Sequence, residues 1–156
     1  MDQLRRTFIK RTGIAGSIAI AIGAGLLKPG AVFAAAWNTA AFGAKNITDA
    51  MSAASFAGAA ENKDIVIKAP EIAENGAVVP VEVTSNIAGT TAIAMFVEKN
   101  PNPLVGLFEF MGGAEPYVST RIKMGQTSLV RVVVKAGGKA YMASREVKVT
   151  IGGCGG

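Results

Sequence analysis

One thiol stands in this chain, and its neighbours set what it can do. Cys154 lies within Gly152-Gly153-Cys154-Gly155-Gly156, directly after Ile151. A lone cysteine can be a nucleophile, a disulfide partner or a covalent attachment point. Glycines offer no side chain to a core, and their backbone freedom is costly to freeze. The segment is therefore expected to be exposed and mobile. Three residue steps lead from Ile151 to Cys154, a reach of roughly 10 Å at about 3.3–3.6 Å each. That reach lets the sulfur leave the domain and enter a cleft on another protein, and the missing Cβ atoms keep the segment thin enough for a narrow channel.

No Lys, Arg or His neighbours Cys154 in the sequence. A cysteine with the ordinary pKa near 8.5 is only a few per cent thiolate at pH 7. Activation is expected to come from the enzyme that receives the tail, which favours a substrate carrier over an enzyme. A thiol enzyme such as a peroxidase or sulfurtransferase needs a basic group beside the sulfur, and the glycines supply none. The alternative is a structural or binding β-sandwich that forms a disulfide-linked dimer through Cys154. An obligatory dimer in non-reducing electrophoresis distinguishes it.

The rest of the chain narrows the chemistry further. There is one cysteine and no histidine, so Ser-His-Asp and Cys-His catalysis within the chain is excluded, as are the usual zinc and copper ligand sets. No cofactor and no metal site is expected. Met95, Met111, Met124 and Met142 are expected at core or strand positions. Gly137-Gly138-Lys139 is not a phosphate loop, because no helix follows it.

The net charge of +5 divides unevenly. Residues 1–34 hold five basic residues against one acidic, a net +4, and the remainder holds eleven against ten, a net +1. The basic character belongs to the leader, so the body lacks the basic face that nucleic-acid binding requires. Arg5-Arg6-Thr7-Phe8-Ile9-Lys10-Arg11 precedes an apolar run from Gly13 to Leu27, followed by Lys28-Pro29-Gly30 and small residues over 31–36. This is the layout of an export signal. The run of 15 residues falls short of the roughly 20 that span a bilayer, so no stable membrane association is expected. Arg5 and Arg6, with Phe8 and Lys10 after them, resemble a twin-arginine signal. Residues 1–34 are assigned as that signal, with cleavage between about 34 and 36, residues 35–151 as the body and residues 152–156 as a carrier arm. The expected destination is the periplasm. Such signals carry folded proteins, yet the body shows no cofactor motif, so export together with a bound partner is expected.

The elements that must position the arm read mostly as strands. Half the residues are apolar and only 6% aromatic, with Val, Ile, Thr and Gly common, a balance that leans to an all-β domain. Ile47, Met51 and Ala54 share one helical face, predicting a short helix from Phe42 to Phe56, with Thr48 at its N-cap or first turn and Gly58 at its end. Period-two alternation then predicts seven strands: 65–69, 78–85, 91–98, 104–110, 117–123, 128–136 and 139–151. Pro80 implies an edge or a bulge, Asn75-Gly76 and residues 100–103 imply turns, and Gly137-Gly138 a two-residue hairpin. Seven short strands at this spacing predict an immunoglobulin-like antiparallel β-sandwich, here preceded by the short helix.

Several stretches together resemble the SoxY family, the sulfur-carrier subunits of the bacterial thiosulfate-oxidising Sox system. They are the twin-arginine leader, Ile72-Ala73-Glu74-Asn75-Gly76-Ala77-Val78-Val79-Pro80-Val81, Val97-Glu98-Lys99-Asn100-Pro101-Asn102-Pro103-Leu104, Val118-Ser119-Thr120-Arg121-Ile122-Lys123-Met124-Gly125, and the closing glycine–cysteine pentapeptide. The resemblance implies an immunoglobulin-like fold and a heterodimer with a SoxZ-like β protein, which would explain folded export. It implies that a c-type haem enzyme joins thiosulfate to the tail cysteine as an S-thiosulfonate, that a manganese-dependent hydrolase releases sulfate, and that a molybdenum-haem sulfur dehydrogenase oxidises the remaining sulfur. Cys154 maps onto the carrying residue, and Gly152, Gly153, Gly155 and Gly156 onto the arm.

Overall fold

A computed structural model of the protein describes residues 37–150. The chain divides into two units, Met1–Trp37 and Asn38–Gly156, and of the first only Trp37 is described. The leader with Arg5, Arg6, Phe8 and Lys10, and the arm with Cys154 and its four glycines, lie outside the described residues.

The predicted helix is two helices. Helix α1 spans Thr39–Gly43 and α2 spans Ile47–Ala53. Each is started by an asparagine: Asn38 Oδ1 accepts from Ala41 N at 3.0 Å, and Asn46 Oδ1 from Asp49 N at 2.9 Å. These caps satisfy amide groups that a helix start leaves without a partner, and Asn46 interrupts the single helix expected over 42–56. Thr48 falls in the first turn, not at the cap. The second helix ends before Gly58. Phe56 N donates to Met51 O at 2.8 Å and Ser55 N to Ser52 O at 3.0 Å, the paired bonds of a Schellman cap, with Ser55 at φ 62° where glycine is usual.

Nine strands follow among the described residues: β1 Ala60–Glu61, β2 Ile65–Lys68, β3 Ile72–Ala73, β4 Val79–Ser85, β5 Thr90–Val97, β6 Leu104–Glu109, β7 Tyr117–Ile122, β8 Ser128–Ala136 and β9 Lys139–Val149. They form a large sheet in the order β1-β9-β8-β5-β6, with β3 also on β9, and a small sheet in the order β2-β4-β7. The seven predicted strands are present within two residues at each described boundary. The two extra ones, β1 and β3, are two-residue bridges that run parallel to β9, whereas the other pairings are antiparallel. The fold is an immunoglobulin-like β-sandwich.

Strand β5 explains the layering. Ile93, Met95 and Val97 face the small sheet and pack with Val79, Val81, Val83, Val130, Val132, Val134 and Val147. Its alternate residues Ala92, Ala94 and Phe96 point to the other face, where they pack with Ala41, Ala50, Phe56 and Val133. The large sheet is thus covered twice, by the small sheet on one side and the helices on the other. Small residues on the helical side admit the helices closely. This is why residues 92–97 are buried without interruption, as a strand covered on both faces must be.

Two expectations about single residues change. Met95 and Met124 are fully buried, but Met111 is 84% exposed in a loop, not in core or strand. Pro80 lies in the central strand of the small sheet. It is tolerated there because β2 stops with Lys68 opposite Glu82, so at Pro80 only β7 is paired.

Candidate functional site

The predicted carrying residue lies five positions beyond the end of β9, and the structure shows how the chain is held up to its last described residue. Val147 is fully buried and Val149 packs against the core. On one side, Ile72 and Ala73 pair with Lys148 and Val149. Lys148 N donates to Glu71 O at 2.9 Å and Thr150 N to Ala73 O at 3.1 Å. On the other side, Val149 N donates to Thr127 Oγ1 at 2.9 Å, just beyond the β8 pairing of Ser128 with Val147. The strand end is therefore clamped from both flanks, and the chain leaves towards Cys154 from a fixed point.

Three loops gather around that point. Asn75 Oδ1 accepts from Ala77 N at 2.8 Å, closing a turn within residues 74–78. That turn is joined to the end of β7 by Met124 N, which donates to Gly76 O at 2.7 Å. Asn100 clasps the same loop twice: its Nδ2 donates to Lys123 O at 2.7 Å and its Oδ1 accepts from Gly125 N at 3.1 Å. Lys99 N donates to Ser128 Oγ at 3.1 Å, and Glu98 pairs with Arg131 of β8. The stretches 72–81, 97–104 and 118–125, far apart in the chain, thus meet at the end of the sandwich from which the arm departs.

The sequence pointed to Cys154 and its glycines, which lie outside the described residues. It did not point to Thr127 or to the clasping role of Asn100. Residues 100–103 do turn as expected, but the Asn100 side chain closes no bond within its own turn. It reaches the 123–125 loop, and nothing local in the sequence announces a long-range bond. Along the same flank, β9 has an open stretch. Strand β1 pairs with Tyr141 and Met142, and β3 with Lys148 and Val149, leaving residues 143–147 without a strand partner on that side. A depression of about 330 Å³ lies there, lined by Glu71, Arg145, Glu146 and Lys148.

Comparison with known proteins agrees with this architecture. The family model for the sulfur oxidation protein SoxY matches residues 52–154. Among solved structures, the chain is similar to the sulfur carrier protein SoxY from Chlorobium limicola f thiosulfatophilum, with 50% identity and a TM-score of 0.59 over 66% of this chain and 96% of that one. It is also similar, at 22% identity and a TM-score of 0.48, to a superoxide reductase (neelaredoxin) from Ignicoccus hospitalis, over 58% of this chain and 82% of that one. That second likeness carries no weight for function. A search of curated proteins returns no match.

Proposed function

The chain belongs to the SoxY family of sulfur carriers, and from that premise we propose that it holds thiosulfate-derived sulfur covalently on Cys154 and presents it to other enzymes of sulfur oxidation. The observation that carries this reading is the extent of the family match, which runs from residue 52 to Cys154 itself. Support comes from the clamped end of β9, which places the start of the arm at a fixed point.

In this reading the Cys154 thiolate and thiosulfate lose two electrons to a c-type haem partner. A bond forms between Cys154 Sγ and the outer sulfur of thiosulfate, giving the S-thiosulfonate Cys–Sγ–S–SO3⁻. Water then cleaves the S–SO3⁻ bond in a manganese-dependent hydrolase, releasing sulfate and two protons and leaving a persulfide anion on the carrier. A molybdenum-haem sulfur dehydrogenase takes the remaining sulfur onward. This chain supplies attachment and reach and acts as no enzyme itself. It works in the periplasm beside a SoxZ-like subunit, after export on the twin-arginine leader of residues 1–34, and it needs no cofactor of its own.

Replacement of Cys154 tests the assignment. Cys154→Ser removes only the sulfur, so the protein is expected to melt within a degree or two of the parent, since a surface change costs no more than about 0.5 kcal/mol. Thiosulfate oxidation by the reconstituted enzymes is expected to stop. Retained turnover in this variant would refute the carrier role, and an obligatory Cys154 disulfide dimer with no adduct would favour the structural alternative.

A further inference from the structure

We propose that the depression beside β9 is a resting site for the arm's anionic cargo, with Arg145 and Lys148 receiving the terminal sulfonate of a loaded Cys154. The proposal rests on the carrier reading. Its first observation is an unpaired donor on a cation. The Nε of Arg145 is buried with no hydrogen-bond partner, and a buried donor left unpaired is costly. Neither Arg145 nor Lys148 has a carboxylate within 4.0 Å among the described residues, although Glu71 and Glu146 line the same depression. A planar guanidinium presents a fork of donors that matches an oxyanion in two places.

The second observation is position. Lys148 and Arg145 precede Thr150 on the strand by two and five residues, roughly 7 and 17 Å at about 3.4 Å per residue. Cys154 follows Thr150 by four residues, a reach of about 13–14 Å. With the cargo added to the thiol at one end and the long Arg145 side chain at the other, an arm that doubles back spans the gap. Between its two bridges, residues 143–147 of β9 carry no hydrogen-bonded strand on that flank. The depression, about 330 Å³, has room for a sulfonate with its hydration, at about 30 Å³ per water.

The two glutamates give the site its selectivity. Two cations and two carboxylates make the lining neutral overall, so free sulfate or thiosulfate gains little by entering. A tethered sulfonate is present at an effective concentration in the millimolar range, so a weak site suffices to hold it. Weak docking also lets a partner enzyme draw the arm away. An unloaded thiol has no anion to offer, so docking reports loading.

The test uses the full-length protein labelled with nitrogen-15. Tetrathionate loads it without any outside oxidant: the Cys154 thiolate attacks an inner sulfur, forms Cys–Sγ–S–SO3⁻ and expels thiosulfate. The Arg145 Nε–H resonance, assigned by its loss in Arg145→Lys, is expected to move on loading and to return when reductant removes the adduct. Cys154→Ser with millimolar thiosulfate is expected to leave it in place. In Arg145→Gln, a small thiol is expected to strip the adduct faster, by roughly tenfold if one charge-assisted hydrogen bond is lost. An unmoved Arg145 signal in fully loaded protein overturns the proposal. So does an equal movement in Cys154→Ser with free thiosulfate, which makes the depression a general anion site. A mass that tetrathionate does not change overturns the carrier reading itself, and the docking with it.

Discussion

The two ends of β9 are built for different tasks. At its start, Gly137 and Gly138 take φ values of 56° and 76°, the mirror-image turn whose twist matches a hairpin. Ala136 and Lys139 face each other directly across it, so the chain closes on itself. At its finish the strand is gripped by β3 on one flank and Thr127 on the other, and three clasped loops surround it. The first end spends its hydrogen bonds on reversing the chain. The second spends them on fixing the place from which residues 151–156 continue. A carrier needs that division, because an attachment point serves partner enzymes best when the strand it extends from is fixed.

Substitutions at the two ends, and in the core they share, sharpen the comparison. The largest loss of stability is expected from Ile93→Ala. Ile93 is fully buried between the sheets, and its truncation is expected to cost about 3–4 kcal/mol by denaturant unfolding. Below its melting point this variant should still form the Cys154 adduct, separating fold from chemistry. At the finish of β9, Thr127→Val leaves Val149 N–H without its acceptor, an expected loss of about 1–2 kcal/mol, with faster amide exchange at Val149 and Thr150. At the hairpin end, Gly138→Ala meets open space for its new Cβ but keeps a positive φ. It is expected to cost about 1 kcal/mol from backbone strain alone, leaving exchange at Val149 and Thr150 unchanged. Equal exchange effects from the two variants would break the distinction. The smallest stability effect is expected from Gly153→Val, within about 0.5 kcal/mol. A stiffer and thicker residue beside the thiol is nevertheless expected to slow turnover by partner enzymes on the order of tenfold.

Much of this fold was legible in the sequence because its signals are local. Strand β8 occupies the predicted residues 128–136, since alternation between two glycine-bearing turns fixes both ends. The unbroken apolar run at 92–97 held the sign of a strand covered on both faces, but not which element covers which. The helix split was hidden because Ile47 and Met51 keep their periodicity on one side of Asn46 while the apolar Ala41 and Phe42 continue it on the other. Strands β1 and β3 were hidden because two residues carry no period. They exist through their partner β9. The carrier reading of the arm comes from the sequence alone, where a cysteine between glycines has few competing explanations. The support beneath the arm was not legible, because Thr127 and Asn100 act on residues distant in sequence, and single polar side chains in loops look alike until the chain is folded.

The central claim is that Cys154 bears sulfur. Its most direct test is the intact mass of the protein purified from the periplasm of thiosulfate-fed cells, before and after reductant. Masses raised by sulfur or thiosulfonate, returned to the unmodified value by reductant and absent in Cys154→Ser, are the predicted result. A single unmodified mass, or a disulfide dimer alone, would contradict it.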